Sequence, residues 1–196
     1  MTAVGHGSTA TLLLTNTLIS VKAPGQPVVD RGDLVRITLD VPPAAAPKVT
    51  STTVIANGFP EQASSGAFVI GPTGVAYESG TAYVSDPLAG SIVAVPDALT
   101  RMSSAGTGTR VASGGYLDHP LAMVAAPNGD LLVTNAGDGD LVEVSTTGHQ
   151  VGEFAVDSDP AQSPPGSGDL FGLAIPPSGK GVYFAKDDTN TLGLLH

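Results

Sequence analysis

An all-β fold is what this sequence predicts, and three observations carry the prediction. Short apolar runs with strand alternation, separated by turns of Gly, Pro, Asn and Asp, fill its 196 residues. One unit built from such runs recurs at an offset of about fifty residues. The composition, 41% hydrophobic and 13% charged with 25 Gly and 16 Pro, suits a folded chain with many tight turns.

The clearest unit is residues 117–154, LDHPLAMVAAPNGDLLVTNAGDGDLVEVSTTGHQVGEF. It reads as an apolar strand at 121–126, a Pro127-Asn128-Gly129 turn, a second strand at 131–135, a Gly/Asp turn, a third strand at 141–145 and a fourth beyond Gly148. Overlaying this meander on its neighbours puts Pro72-Thr73-Gly74-Val75 on Pro120-Leu121-Ala122-Met123, and Val84-Ser85-Asp86 on Val133-Thr134-Asn135. A further copy starts at Phe171-Gly172-Leu173-Ala174-Ile175, continues at Val182-Tyr183-Phe184-Ala185-Lys186 and ends at Thr191-Leu192-Gly193-Leu194-Leu195. The most diverged copy is the first, where Leu13-Leu14-Thr15-Asn16 matches the second strand and Leu34-Val35-Arg36-Ile37 the third. Four short strands per unit, repeated with a period of roughly 40–50 residues, predict a β-propeller, because no such unit buries its faces alone and stacking supplies the core.

The prediction is about four blades of four-stranded antiparallel meanders in one domain, the first and last incomplete, at about residues 1–58, 59–108, 109–157 and 158–196. In the first blade, strands are expected at 2–4, 11–15, 33–39 and 51–56, the last carried by the β-branched run Thr52-Thr53-Val54-Ile55. A Pro- and Gly-rich insertion (22–32) and a Pro-rich loop (41–47) separate them. Residues 57–71, 110–119 and 157–169 are expected as crossings between blades, converging on the face where propeller ligands lie. The fourth blade reads as three strands, and Met1 overlays Val75 inside an inner strand, which implies a longer parent. Two unpaired strand edges then predict a homo-oligomer formed through those edges, or a strained four-blade closure.

Charge narrows the partners. A net charge of −10 with only 8 Lys and Arg lacks the basic footprint that draws proteins to nucleic acid or to anionic membrane surfaces. With no cysteine, disulfides, zinc–thiolate sites and thiol nucleophiles are excluded. A protein or small-molecule ligand is the partner class left.

The segments Gly71-Pro72-Thr73-Gly74-Val75-Ala76 and His119-Pro120-Leu121-Ala122-Met123-Val124, each followed by its second strand, resemble NHL-type propeller repeats. The resemblance covers nearly the whole chain and is strongest from Asn57 onward. The chain looks in particular like the C-terminal part of bacterial, mostly exported NHL-repeat proteins of unassigned function, and this resemblance implies a periplasmic or extracellular parent of about six blades. Fold follows from such a resemblance, and function does not. The gluconolactonase-like calcium hydrolases place Asn or Asp just after the proline that opens the inner strand; here those positions hold Thr73, Leu121 and Phe171. The peptide-amidating lyases set a zinc-binding histidine near the same opening in three blades, whereas here the positions hold Gly71, His119 and Asp169.

Asp118-His119 is the leading candidate for chemistry, since a histidine beside a carboxylate at a channel mouth can serve as acid, base or metal ligand near neutral pH. Asp169, on the next crossing, is placed to converge with it, and His119 and Asp169 with Asp118 form a weak candidate site for a divalent cation. Asn16, Asp86 and Asn135, each following a second strand, read as turn residues that bond their own backbone, and Asp138-Gly139-Asp140 as the same turn chemistry. Lys186 is expected to pair with the adjacent Asp187 and Asp188. Phe154 and Phe184 are expected in the core between blades, while Phe59, Phe68, Tyr116 and Phe171 on the crossings are candidate ligand contacts. The reading that follows is a binding or scaffold module with its ligand face on the crossings; the rival is a metal-assisted, lactonase-like hydrolase or lyase at the channel mouth.

Overall fold

The computed structural model describes residues 1–17, 23–65, 68–157 and 170–196. Regular structure among them is all strand, in four antiparallel sheets that form the four blades of a β-propeller. The first blade comprises β1 (Thr2–His6), β2 (Thr9–Asn16), β3 (Val29–Asp40), β4 (Lys48–Ser64) and β5 (Phe68–Ile70). The second comprises β6 (Val75–Glu78), β7 (Thr81–Asp86), β8 (Ser91–Val95) and β9 (Thr109–Ser113). The third comprises β10 (Pro120–Ala125), β11 (Leu131–Asn135), β12 (Asp140–Val144) and β13 (Gln150–Ala155). The fourth comprises β14 (Gly172–Ala174), β15 (Val182–Lys186) and β16 (Thr191–Leu195).

Each sheet pairs its strands in chain order, and the innermost strands β1, β6, β10 and β14 neighbour one another in the same order. Strand alternation then divides each blade into two apolar faces. In the second blade Val75, Ala82, Val84, Val93 and Val95 face the first blade, packing on Leu13, Leu34, Ile55 and Phe59. Ala76, Tyr83, Ile92 and Ala112 face the third, packing on Met123, Leu131, Val133, Val142 and Val144.

A hydroxyl at the penultimate position of the second strand ties each of the first three blades to its successor. Thr15 Oγ1 donates to Thr73 O at 2.7 Å, Ser85 Oγ to Leu121 O, and Thr134 Oγ1 to Leu170 O at 2.8 Å. The same hydroxyls accept from the inner strand of their own blade: Ser85 Oγ from Gly74 N at 2.8 Å and Thr134 Oγ1 from Ala122 N at 3.1 Å. The approach is close enough that a Cβ on Gly74 would collide with Leu121 O and Ser85 Oγ, so only glycine fits there. The tie also sets the register of the fourth blade. Leu170, fully buried, takes the place of Leu121, and Phe171 lies one residue further on.

Two expectations about the crossings are corrected. Residues 57–64 and 68–70 are strand where a loop was expected: β4 continues through Phe59 to Ser64 and pairs antiparallel with β5. Long strands with repeated bulges against β3 allow this, since each bulge re-aims the strand while the ladder continues. The second blade likewise extends past Gly108 to Ser113, because residues 109–113 pair with β8 as its outer strand and leave 114–119 as the crossing. Among the phenylalanines, Phe184 is in the core as expected. Phe154 is 56% exposed on the outer strand β13, since outer-strand side chains are covered only where the next blade reaches that far.

Candidate functional site

The crossing at 114–119 is built by paired glycines and a side-chain clamp. Gly114 and Gly115 both have positive φ (62° and 61°), which lets the chain leave β9 in a tight turn closed by Leu117 N donating to Gly114 O. Gln150, from β13, fastens it from outside: its Oε1 accepts from Tyr116 N at 2.6 Å and its Nε2 donates to Gly114 O at 2.8 Å. From inside, the fully buried Asn135 donates Nδ2 to Tyr116 O at 2.7 Å and to Asp138 Oδ2 at 3.3 Å. The Asn135 Oδ1 is buried with no hydrogen-bond partner among the described residues. Asn135 is therefore a brace for the crossing, where the sequence suggested a turn residue serving its own backbone.

On this brace stands the Asp118–His119 pair. His119 Nδ1 lies 2.7 Å from Asp118 Oδ1, with the two side chains 59% and 50% exposed. His119 holds a left-handed backbone (φ 52°), fixed by its carbonyl accepting from Ala136 N and by the Asp118 carbonyl accepting from Gly137 N. A carboxylate on Nδ1 orients the ring and presents Nε2 outward, the arrangement in which histidine acts as acceptor, base or ligand.

The remaining candidates separate. Tyr116 and Phe171, 42% and 44% exposed, are aromatic surface, the first on the crossing at 114–119 and the second at the entry to β14. Phe59 is fully buried in the core between the first and second blades and has no surface to offer a ligand, because β4 carries it inward where a loop was expected. Asp169 lies outside the described residues, and so does the side chain of Phe68. Among the described residues no three His, Asp or Glu side chains converge as a metal-holding group.

Other acidic groups at this end are held by burial. Asp86, 3% exposed, accepts from Ala89 N at 3.0 Å, so its turn role is as expected. Desolvation nonetheless raises its pKa, opposed by the amides of Ala89 and Leu88 and by Arg110 and reinforced by Asp30. Asp140 is also raised, by burial first and then by Asp138 and Glu153. Asp138 Oδ1 takes the Asp140 amide at 3.0 Å, which is the expected turn. Lys186 makes a contact that the sequence did not suggest. Its Nζ lies 2.8 Å from Oδ1 of Asp157, whose side chain is fully buried, so the cation bridges from the fourth blade to the end of the third. Sequence showed the anomaly of a lysine at this position but carried no signal for a carboxylate about thirty residues away.

No protein-family model matches the chain, and no curated protein matches it by sequence. Solved structures do. A luciferin-regenerating enzyme superposes with a TM-score of 0.53 at 13% identity, over 95% of this chain and 56% of that one. A gluconolactonase from Xanthomonas campestris gives 0.51 at 15% identity, over 95% and 54%. A catalytically inactive variant of virginiamycin B lyase from Staphylococcus aureus, with quinupristin, gives 0.52 at 12% identity, over 95% and 71%. At these identities the likeness is one of fold, and the chain spans just over half the length of the first two proteins.

Proposed function

We propose that this chain is a ligand-binding module of an NHL-type propeller, and that its ligand face is formed by the crossings on either side of the third blade. The observation that carries this reading is the presence of exposed aromatics and a fixed polar group: Tyr116 stands on the crossing at 114–119 with the oriented Asp118–His119 pair, and Phe171 is exposed at the entry to β14. Aromatic surface supplies contact area at low entropic cost, and one oriented polar pair supplies direction. The overall negative charge favours a basic protein segment as ligand. Self-association through strand edges is part of the same proposal, with the apolar surface at Leu192 (69% exposed) and Leu194 (38%) on the fourth blade as its contact.

A hydrolase or lyase reading has one observation in its favour, the strained and oriented His119. The two are separated by titrating a ten-residue peptide alternating lysine and tyrosine, and in parallel assaying aliphatic lactone hydrolysis with and without added calcium. Binding that is lost in Tyr116→Ala and Phe171→Ala, with no turnover, supports the module. Calcium-dependent turnover abolished by His119→Ala would overturn it. Light scattering on the same samples reads the oligomeric state.

A further inference from the structure

We propose that the cleft between the third and fourth blades is a binding site for a small apolar molecule carrying one cationic group, anchored by Glu143. The cleft is open to solvent, has a volume of about 580 Å³ and is floored by Leu132, Leu141 and Phe154 from the third blade and by Ile175, Val182 and Leu195 from the fourth. A concave, mostly apolar space of a few hundred cubic ångströms with few polar groups is the usual form of a small-molecule site. It lies away from the crossing at 114–119. The turns that line it, around Asn128 and Gly179, alternate with the crossings along the meander and so sit at the other end of the blades.

Register decides which charges face the cleft. Leu132 pairs with Glu143 and Leu141 with Phe154, and Glu143 and Leu141 are two residues apart on one strand, so all four project from one face of the third blade. Glu153 also borders the cleft, but it pairs with Val142 and projects from the opposite face, toward the second blade. Glu143 is half-buried and held by Asn128, whose Nδ2 donates to its Oε1 at 2.9 Å and to Asp130 Oδ2 at 3.1 Å. One carboxylate oxygen is thereby fixed, and Oε2 is presented beside an apolar floor. Among the described residues no Lys or Arg lines the cleft to neutralise it, and the one imidazole there is that of His196. A carboxylate against apolar surface favours a ligand whose charge is positive and whose body is hydrophobic.

The test titrates 4-phenylbutylamine, its neutral isostere 4-phenylbutan-1-ol and the anionic 4-phenylbutyrate into the protein, followed by amide NMR. The amine should saturate with shifts at Glu143, Gly152, Phe154, Gly181 and Leu195, at least tenfold more tightly than the alcohol, with the acid weakest. Glu143→Gln, which keeps the acceptor for Asn128, should bring amine and alcohol to within about twofold. Phe154→Ala, at an exposed position that leaves the fold intact, should weaken both. Equal binding of amine and alcohol to the wild type overturns the proposal. So does an amine response spread over the acidic surface, or a concentration-dependent dimer that covers the cleft amides. Shifts confined to the crossing at 114–119 would also overturn it, while leaving the ligand face of the module standing.

Discussion

The interface between the second and third blades and that between the third and fourth are built from the same repeat, yet one is sealed and the other is open. Between the second and third, Ile92, Leu131, Val133, Val142 and Val144 are all fully buried, and Ala112 from the outer strand β9 closes the packing. Between the third and fourth the inner hydroxyl tie persists, from Thr134 to Leu170, but further out the space opens into the cleft with Phe154 at its edge. The inner strands thus fix the spacing of blades, and coverage by outer strands decides whether the intervening space is core or cavity. Phe154 on β13 holds the place that Ala112 holds on β9, but among the described residues the fourth sheet has three strands, so no outer strand of that blade reaches across to cover it.

The contrast makes sharp predictions. Leu131→Ala, at the sealed interface, should lower unfolding free energy by about 2–5 kcal/mol, since the close-packed neighbours relax only partly into the space left. Phe154→Ala removes a larger side chain at the open interface and should change stability by no more than about 0.5 kcal/mol. Denaturant midpoints of the two variants read the difference, and equal losses would mean that the cleft is closed in solution.

The open interface also carries an ion pair. Lys186→Met removes the cation that bridges to the buried Asp157 and should cost about 3 kcal/mol, the lower end of the range for breaking a buried pair, because the lysine retains some contact with water. Since the bridge joins the two blades, hydrogen exchange should rise in β14–β16 before it rises in the second blade.

Asp86 gives the smallest effect and one of opposite sign. Burial raises its folded-state pKa above the unfolded value, so the folded form holds the proton more tightly. That contribution is present below the unfolded pKa and is lost as pH rises through the folded pKa, which makes the ionised Asp86 a burden near neutrality. Asp86→Asn keeps an acceptor for the Ala89 amide and should raise stability at neutral pH, with less gain in acid. A thermal melt series across the acid range checks the sign. A loss at neutral pH would show that Arg110 outweighs desolvation.

Much of the fold was legible because its signals are local. Alternation and turn residues placed β10, β11, β12 and β13 within about a residue or two of their observed bounds, and the overlay found the tie-forming positions Ser85 and Thr134 without revealing their partners. The site was less legible. The Asp118–His119 pair could be named because its members adjoin in sequence, whereas Gln150 and Asn135, which hold its crossing, reach it from other strands. Phe59 was misplaced for the opposite reason: a Gly-Phe-Pro stretch reads as a loop, and only pairing with β3 through several bulges keeps it a strand.

What the sequence determined by itself, then, is the repeat, its strand order and its turns, since these follow from periods of two and from residues that tolerate particular backbone angles. Tertiary structure alone decided which faces meet, that Lys186 bridges to Asp157, that Leu170 takes the tie while Phe171 stays outside, and that the last interface is a cleft. Those outcomes depend on where separate strands lie in space and how far each covers its neighbour, and no local pattern encodes that.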